Sequence, residues 1–150
     1  MKHPRKAYVL DASVLIEILA GSKLIHGLVN SIINGEIEAY TTRLSLIEAL
    51  YVTCRLWGWE EALQRLQILV DSETITVIED DELWNYVAHC KCRIPISLGD
   101  CFTLALAKKY GLKPLFLKQE KELQENREKI KEWLSGEPEY LMSLSQYQGT

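Results

Sequence analysis

Apolar residues follow two rhythms along this chain. Short runs such as Tyr8 to Leu10 and Thr74 to Glu79 are continuous or alternate every second residue, as strands do, while longer segments space them three and four apart, as helices do. "YVLD" reads as a short buried strand, and Ala12 to Leu19 continues as a helix with Leu15, Ile16 and Leu19 on its apolar face, ended by Gly21-Ser22. A second helix is predicted over Lys23 to Asn34, where Leu24, Leu28 and Ile32 keep the helical period and Asn34-Gly35 stops it. "EIEAYTT" then predicts a strand. Thr41 or Thr42 can cap the helix of "RLSLIEALYVTCRLWG", which Gly58 ends, and Trp59 to Val70 forms the next. "TITVIE" is a strand, "DELWNYVAHCKCR" a helix stopped before Pro95, and Ser97 caps a helix running to Gly111. "KPLFL" closes the series as a last strand.

Beyond Lys118 the pattern thins to Leu123, Ile130, Trp133 and Leu134 among Glu, Lys, Gln and Asn, which predicts a peripheral helix and then a loose end after Gly136-Glu137-Pro138. Strands alternating with helices predict an α/β fold, a three-layer sandwich with a mostly parallel central sheet. In such sheets, sites form where strand C-terminal ends meet helix N-termini. No repeat or linker interrupts residues 1–150, so one domain is expected, its core at about 6–123 and residues 124–150 peripheral.

Composition narrows the function classes. With 47% hydrophobic residues in 150, the chain can bury one sizeable core. Asp11, Glu17, Arg43 and Glu48 break every apolar run short of the roughly 20 residues of a membrane span, and no signal peptide opens the chain, so a soluble cytoplasmic protein without membrane contact is expected. Cys54, Cys90, Cys92 and Cys101 are scattered through periodic segments; Cys90 and Cys92 lack both zinc spacing and a second pair, which favours reduced structural thiols. A net charge of −4 argues against a nucleic-acid coat protein, yet an enzyme that meets an acidic substrate through divalent cations tolerates a negative site.

Three acids stand out by their settings. Asp11 follows a strand and opens a helix, where it serves as an N-cap or as a ligand. Glu48 falls on or beside the stripe of Leu44, Ile47 and Tyr51, which would point it toward the sheet; pairing with Arg43 or Arg55 is the plainer alternative. Asp100 lies three residues after Ser97 and so fits a capping box as well as a site. Capping accounts for Asp11 and Asp100 one at a time. What it leaves out is the joint pattern of three carboxylates at helix starts or on apolar faces, which resembles a ligand set for hard cations.

"YVLDASVLIEIL", "TTRLSLIEALYV" and "ISLGDCFTLALAKKYGLKPLFL", in this order, resemble the PIN domain, the metal-dependent ribonuclease fold of VapC-type toxins and of several RNA-processing nucleases. The resemblance covers roughly Lys6 to Glu122. It implies that Asp11, Glu48 and Asp100 are acidic metal ligands and that Ser13 takes the place of the Ser or Thr that orders the site, meeting the substrate together with Lys118. Family members usually place Thr-x-Asp after the last strand, whereas this chain reads "LFLKQEKEL". Aligning "EKEL" with the common "DKEF" puts Glu120 at the fourth acid and Lys118 at the threonine, with Glu122 competing.

The implied activity is endonucleolytic hydrolysis of RNA at an acidic Mg²⁺ or Mn²⁺ site, possessed by a toxin with a small antitoxin partner or by a processing nuclease. Two such ions about 4 Å apart can activate a water and stabilise the leaving oxygen, and both prefer oxygen ligands. A PIN-fold binding or scaffold module without nuclease activity is the alternative. An aspartyl-phosphate receiver or phosphatase is disfavoured, because Asp11-Ala12-Ser13 lacks the adjacent acids or Asp-x-Asp of those folds. His3, His26 and His89 lie outside the three blocks and read as surface residues. Trp57, Trp59, Trp84 and Trp133 read as core or interface cover rather than base-stacking platforms. Lys108 and Lys109 serve either phosphates or the helix dipole. The apolar helix "WEEALQRLQILV" offers a face for a homodimer.

Overall fold

The computed structural model describes residues 5–144. At its centre lies β1 (Lys6–Leu10), whose unbroken apolar run is explained by burial on both faces: Tyr8 and Leu10 enter one core and Val9 the other. Around it the chain runs α1 (Ala12–Ala20), α2 (His26–Ile33), β2 (Ile37–Thr42), α3 (Arg43–Trp57), α4 (Trp59–Asp71), β3 (Ile75–Ile78), α5 (Leu83–Arg93), α6 (Leu98–Tyr110), β4 (Lys113–Phe116), α7 (Lys121–Glu125), α8 (Arg127–Leu134) and β5 (Glu139–Tyr140). The sheet order is β3-β2-β1-β4-β5 and every pairing is parallel. Residues of α1, α2, α3 and α4 pack one face, and residues of α5, α6, α7 and α8 pack the other, giving the expected three layers.

Chain order reverses at β1: β2 and β3 extend to one side and β4 and β5 to the other. This is the switch point at which open parallel sheets form a crevice beyond their strand ends. Helices start there because short polar residues cap them. Asp11, Thr42 and Ser97 each accept a first-turn backbone N–H at the start of α1, α3 and α6. Gly21 and Gly111 end α1 and α6 in the left-handed conformation, at φ 64° and 67°.

Three expectations need correction. The helix expected over Lys23 to Asn34 divides into a 3₁₀ turn at Lys23–Ile25 and α2. The tail is neither one helix nor loose after Pro138, since α7 and α8 are separate and β5 adds a parallel strand beside β4. Tyr8 anchors that strand by donating its hydroxyl to the Glu139 carboxylate, and Met142 N donates to Leu117 O at 3.0 Å just past it. Finally, the buried stripe of α3 is Ser45, Ala49 and Thr53, whereas Ile47 and Tyr51 are 52% and 42% exposed. Small residues face inward because α3 packs closely against both α1 and α6. His3 and the last residues of the tail, 145–150, lie outside the described residues. No single helix among the described residues is long and apolar enough to cross a membrane.

Candidate active site

Asp11 sits where β1 ends and α1 begins, only 8% exposed. Burial pushes its carboxyl above the ordinary range, and hydrogen bonds oppose that rise. Oδ2 accepts from Ser13 N at 3.1 Å and from Ser13 Oγ at 2.8 Å; Oδ1 accepts from Thr103 Oγ1, on α6, at 2.9 Å. The Ser13 hydroxyl also accepts from Leu117 N at 3.1 Å, tying α1 to the end of β4. Asp11 N donates to Leu115 O at 3.0 Å, and Thr41 Oγ1 donates to Leu10 O at 2.8 Å. The acid is therefore held by groups from β4, α1 and α6, with β2 bracing the residue before it.

Glu48 lies half-buried on α3, beside the inward stripe of Ser45 and Ala49. The cations proposed as its plain partners are engaged elsewhere: Arg43 pairs with Glu79, and the Arg55 guanidinium lies over the Tyr51 ring at 5.0 Å. Among the described residues Glu48 has no ion pair. Its carboxylate instead rests on the first turn of α6, so closely that a Cβ placed on Gly99 would lie 2.1 Å from Oε1 and 2.9 Å from Oε2. Burial and then the negative charge of Asp11 raise its pKa.

Asp100 occupies the same turn of α6. Ser97 Oγ accepts from Asp100 N at 3.1 Å, so the residue belongs to a helix cap as the spacing suggested. It also belongs to the acidic site. Its carboxyl is pushed up to about 7, first by burial, then by Asp11, with further upward pressure from Glu122 and Glu48 and a downward pull from Ser97. Asp11, Glu48 and Asp100, from α1, α3 and α6, thus repel one another at the switch-point edge.

The two alternatives for the fourth acid differ in their surroundings. Glu120 is exposed and its carboxylate lies 3.9 Å from the equally exposed Lys118. Glu122, on α7, acts on Asp100 and on Cys101. Lys108 and Lys109 stand at the far end of α6, roughly 12 Å along the axis from Asp100 at 1.5 Å per residue. There Lys108 donates to Trp133 O, and Lys109 donates to Asp80 Oδ2 at 2.5 Å, so both are engaged away from the acidic site. His26 and His89 are exposed, and His89 Nδ1 accepts from Trp133 Nε1 at 2.9 Å. Trp133 is buried and Trp57 carries the Arg65 guanidinium at 4.4 Å, whereas Trp59 and Trp84 are exposed. All four cysteines are free thiols.

The chemistry of the donor set fits a hard divalent cation. It offers carboxylate and hydroxyl oxygens with no His or Cys, and three carboxyls whose charged forms are disfavoured until a cation joins them. Among the described residues no three acidic, His or Cys side chains form a closed ligating cluster as they stand. Donor type and mutual repulsion carry the fit.

Two residues of this site escape a reading of the sequence: Thr103, which fixes Asp11, and Gly99, which makes room for Glu48. The available signal was positional. Thr103 is the polar residue one turn after Asp100 inside the apolar run "CFTLALA", and Gly99 is a glycine inside a helix, where glycine costs stability unless something approaches closely.

Comparison with curated proteins gave no match. Among solved structures the chain is similar to PAE2754 of Pyrobaculum aerophilum, with 20% identity, 95% of each chain covered and a TM-score of 0.61. It is also similar to VapC20 of Mycobacterium tuberculosis, described as a sarcin-ricin loop cleaving toxin, at 16% identity over 75% of this chain and 91% of that one, with a TM-score of 0.61. The third is VapBC-1 of nontypeable Haemophilus influenzae, at 13% identity over 91% and 98% of the two chains, with a TM-score of 0.63. Likeness at these identities concerns the fold. The family model of the PIN domain, however, matches residues 8–129, a span that contains Asp11, Glu48, Asp100, Glu120 and Glu122, and the chain belongs to the PIN domain family.

Proposed function

We propose that this protein is a divalent-metal-dependent endoribonuclease, the toxin of a toxin-antitoxin pair, hydrolysing RNA phosphodiester bonds at Asp11, Glu48 and Asp100. The observation that carries the reading is the gathering of these three carboxyls at the first turn and inner face of α6: Asp11 is bonded to Thr103, the Glu48 carboxylate lies against Gly99, and Asp100 is the next residue, with its pKa raised by burial and by the other two acids. Family membership supports a nuclease. The toxin described as cleaving the sarcin-ricin loop supports an RNA substrate, and the toxin-antitoxin complexes among the similar structures support an antitoxin partner.

Mg²⁺ or Mn²⁺ bound here would supply the positive charge that lowers the pKa of water and stabilises the leaving oxygen. Asp11, Glu48 and Asp100 would hold it, and the protein does the rest. Ser13 and Thr103 fix both oxygens of Asp11, so that little reorganisation remains when the charge partner arrives. Lys118, exposed beside the site, meets a backbone phosphate as a point charge. Glu122 is the better fourth carboxylate, because Asp100 feels its field while Glu120 faces Lys118. A homodimer through α4, where Trp59 and Ile68 are exposed, and a cytoplasmic location with the RNA belong to the same reading.

The test is cleavage of a generic single-stranded RNA with Mn²⁺, with Mg²⁺ and with chelator, on wild type and on Asp11→Asn, Asp100→Asn, Glu120→Gln and Glu122→Gln. The expected outcome is loss with chelator, a fall for Asp11→Asn and Asp100→Asn beyond the roughly tenfold that losing an outer partner costs, a smaller fall for Glu122→Gln and none for Glu120→Gln. Cleavage indifferent to chelator and to Asp11→Asn would overturn the reading. Absence of cleavage with RNA binding retained would leave the family's fold serving as a binding module.

A further inference from the structure

The first turn of α6 does two things at once: it presents Asp100, and at Gly99 it leaves empty the volume a Cβ would fill. The Glu48 side chain takes that volume, with Oε1, Cδ and Oε2 standing 2.1, 2.9 and 2.9 Å from the place of the absent Cβ. The three heavy atoms nearest the place of the absent Cβ all belong to Glu48. Gly99 is not among the glycines of positive φ and lies one residue inside a helix of ordinary geometry, where alanine is favoured by up to about 1 kcal/mol. Its neighbours on the same turn are Ser97, which caps the helix, and Asp100, whose charge Glu48 opposes.

We infer that Gly99 is a positioning residue of the acidic site: the missing Cβ lets the Glu48 carboxylate lie against α6 beside Asp100, so that two acids from different helices can share one cation. The inference rests on the nuclease reading for its purpose and on the Glu48 contact for its physics. Any side chain at position 99 displaces the carboxylate, which can swing away because it is the far end of a flexible side chain. Gly99→Ala therefore leaves the fold intact while taking Glu48 out of place.

Two measurements test this on the full chain. The first needs neither metal nor activity. In a Glu48→Ala background, Gly99→Ala is expected to raise the melting temperature, by at most about 2–4 °C, the effect of up to roughly 1 kcal/mol in a chain of this size. In the wild-type background the same substitution is expected to give a smaller rise or none, because the carboxylate must first leave the space that the new methyl takes. Equal rises in both backgrounds would show that Glu48 does not use this space and would overturn the inference.

The second is calorimetric binding of Mn²⁺. Gly99→Ala is expected to weaken it roughly tenfold, as displaced supporting geometry does elsewhere. Glu48→Asp, one methylene shorter, is expected to lose nothing further when Gly99→Ala is added. An unchanged Mn²⁺ affinity in Gly99→Ala would overturn the positioning role. A wild type that takes up no Mn²⁺ would instead overturn the nuclease reading, and the paired melting temperatures would still decide whether the contact exists.

Discussion

Thr103 holds its hydroxyl against a carboxylate that water barely reaches. Both its Oγ1 and the Asp11 Oδ1 it serves are enclosed, at 2.9 Å, and the threonine itself is 0% exposed. A hydrogen bond to a charged acceptor contributes roughly 1.5–3 kcal/mol, more than a neutral one, and its loss here leaves one oxygen of a buried acid short of a donor. Thr103→Val keeps the shape and removes the donor. Its expected effect is a destabilisation of about 2 kcal/mol in urea unfolding at neutral pH, together with reduced RNA cleavage, both restored by Thr103→Ser. A Val variant as stable as wild type would mean that the bond does not hold Asp11 in solution. Asp11 was legible in the sequence because a carboxylate inside an apolar run demands an explanation. Its partner was not, because Thr103 is 92 residues away and a threonine among leucines and alanines looks like filler.

Elements were legible where local chemistry fixes them. Asp11, Thr42 and Ser97 announce the starts of α1, α3 and α6, and these starts bring the site together. Thr42 shows how much rests on one hydroxyl: it is buried, and its Oγ1 accepts from Ser45 N at 3.0 Å at the head of the helix that carries Glu48. Thr42→Ala is expected to cost about 1–2 kcal/mol, read as a lowered denaturation midpoint at unchanged slope. A midpoint equal to wild type would show that Ser45 or water replaces the cap. Where elements depend on distant partners, the sequence pattern fell short. β5 is two residues long, and Glu139 receives the hydroxyl of Tyr8 from the other end of the chain, so no local periodicity could announce it. The inward face of α3 was misread for a related reason. Close helix contact selects Ser45, Ala49 and Thr53 over larger apolar residues, so the bulky stripe of Ile47 and Tyr51 faces out.

For the whole molecule, the concentration of acid at one sheet edge sets how stability depends on pH. Asp11, Glu48 and Asp100 all have raised pKa values in the folded chain, Asp100 to about 7, against about 3.9 to 4.3 for unfolded carboxyls. An acid with a raised folded pKa binds its proton more tightly in the native state. Its contribution is fully present below the unfolded value and is lost as pH rises through the folded one. Asp80 has the opposite sign: Lys109 holds it down at about 2, so its contribution is present above about 4 and fades only in stronger acid, outside this window. Without divalent cations, the melting temperature is therefore expected to fall as pH rises from about 4.5 to 7.5. Asp100→Asn should flatten that fall, because it removes a carboxyl that titrates at about 7, inside this range. Added Mn²⁺ should reverse it, most strongly at the upper end, since a cation that binds only the folded, ionised site stabilises by mass action. Differential scanning fluorimetry across this range, with chelator and with Mn²⁺, reads all three effects. A chelated wild type whose melting temperature rises steadily between these limits, in parallel with Asp100→Asn, would show that burial and repulsion do not hold these carboxyls up in solution.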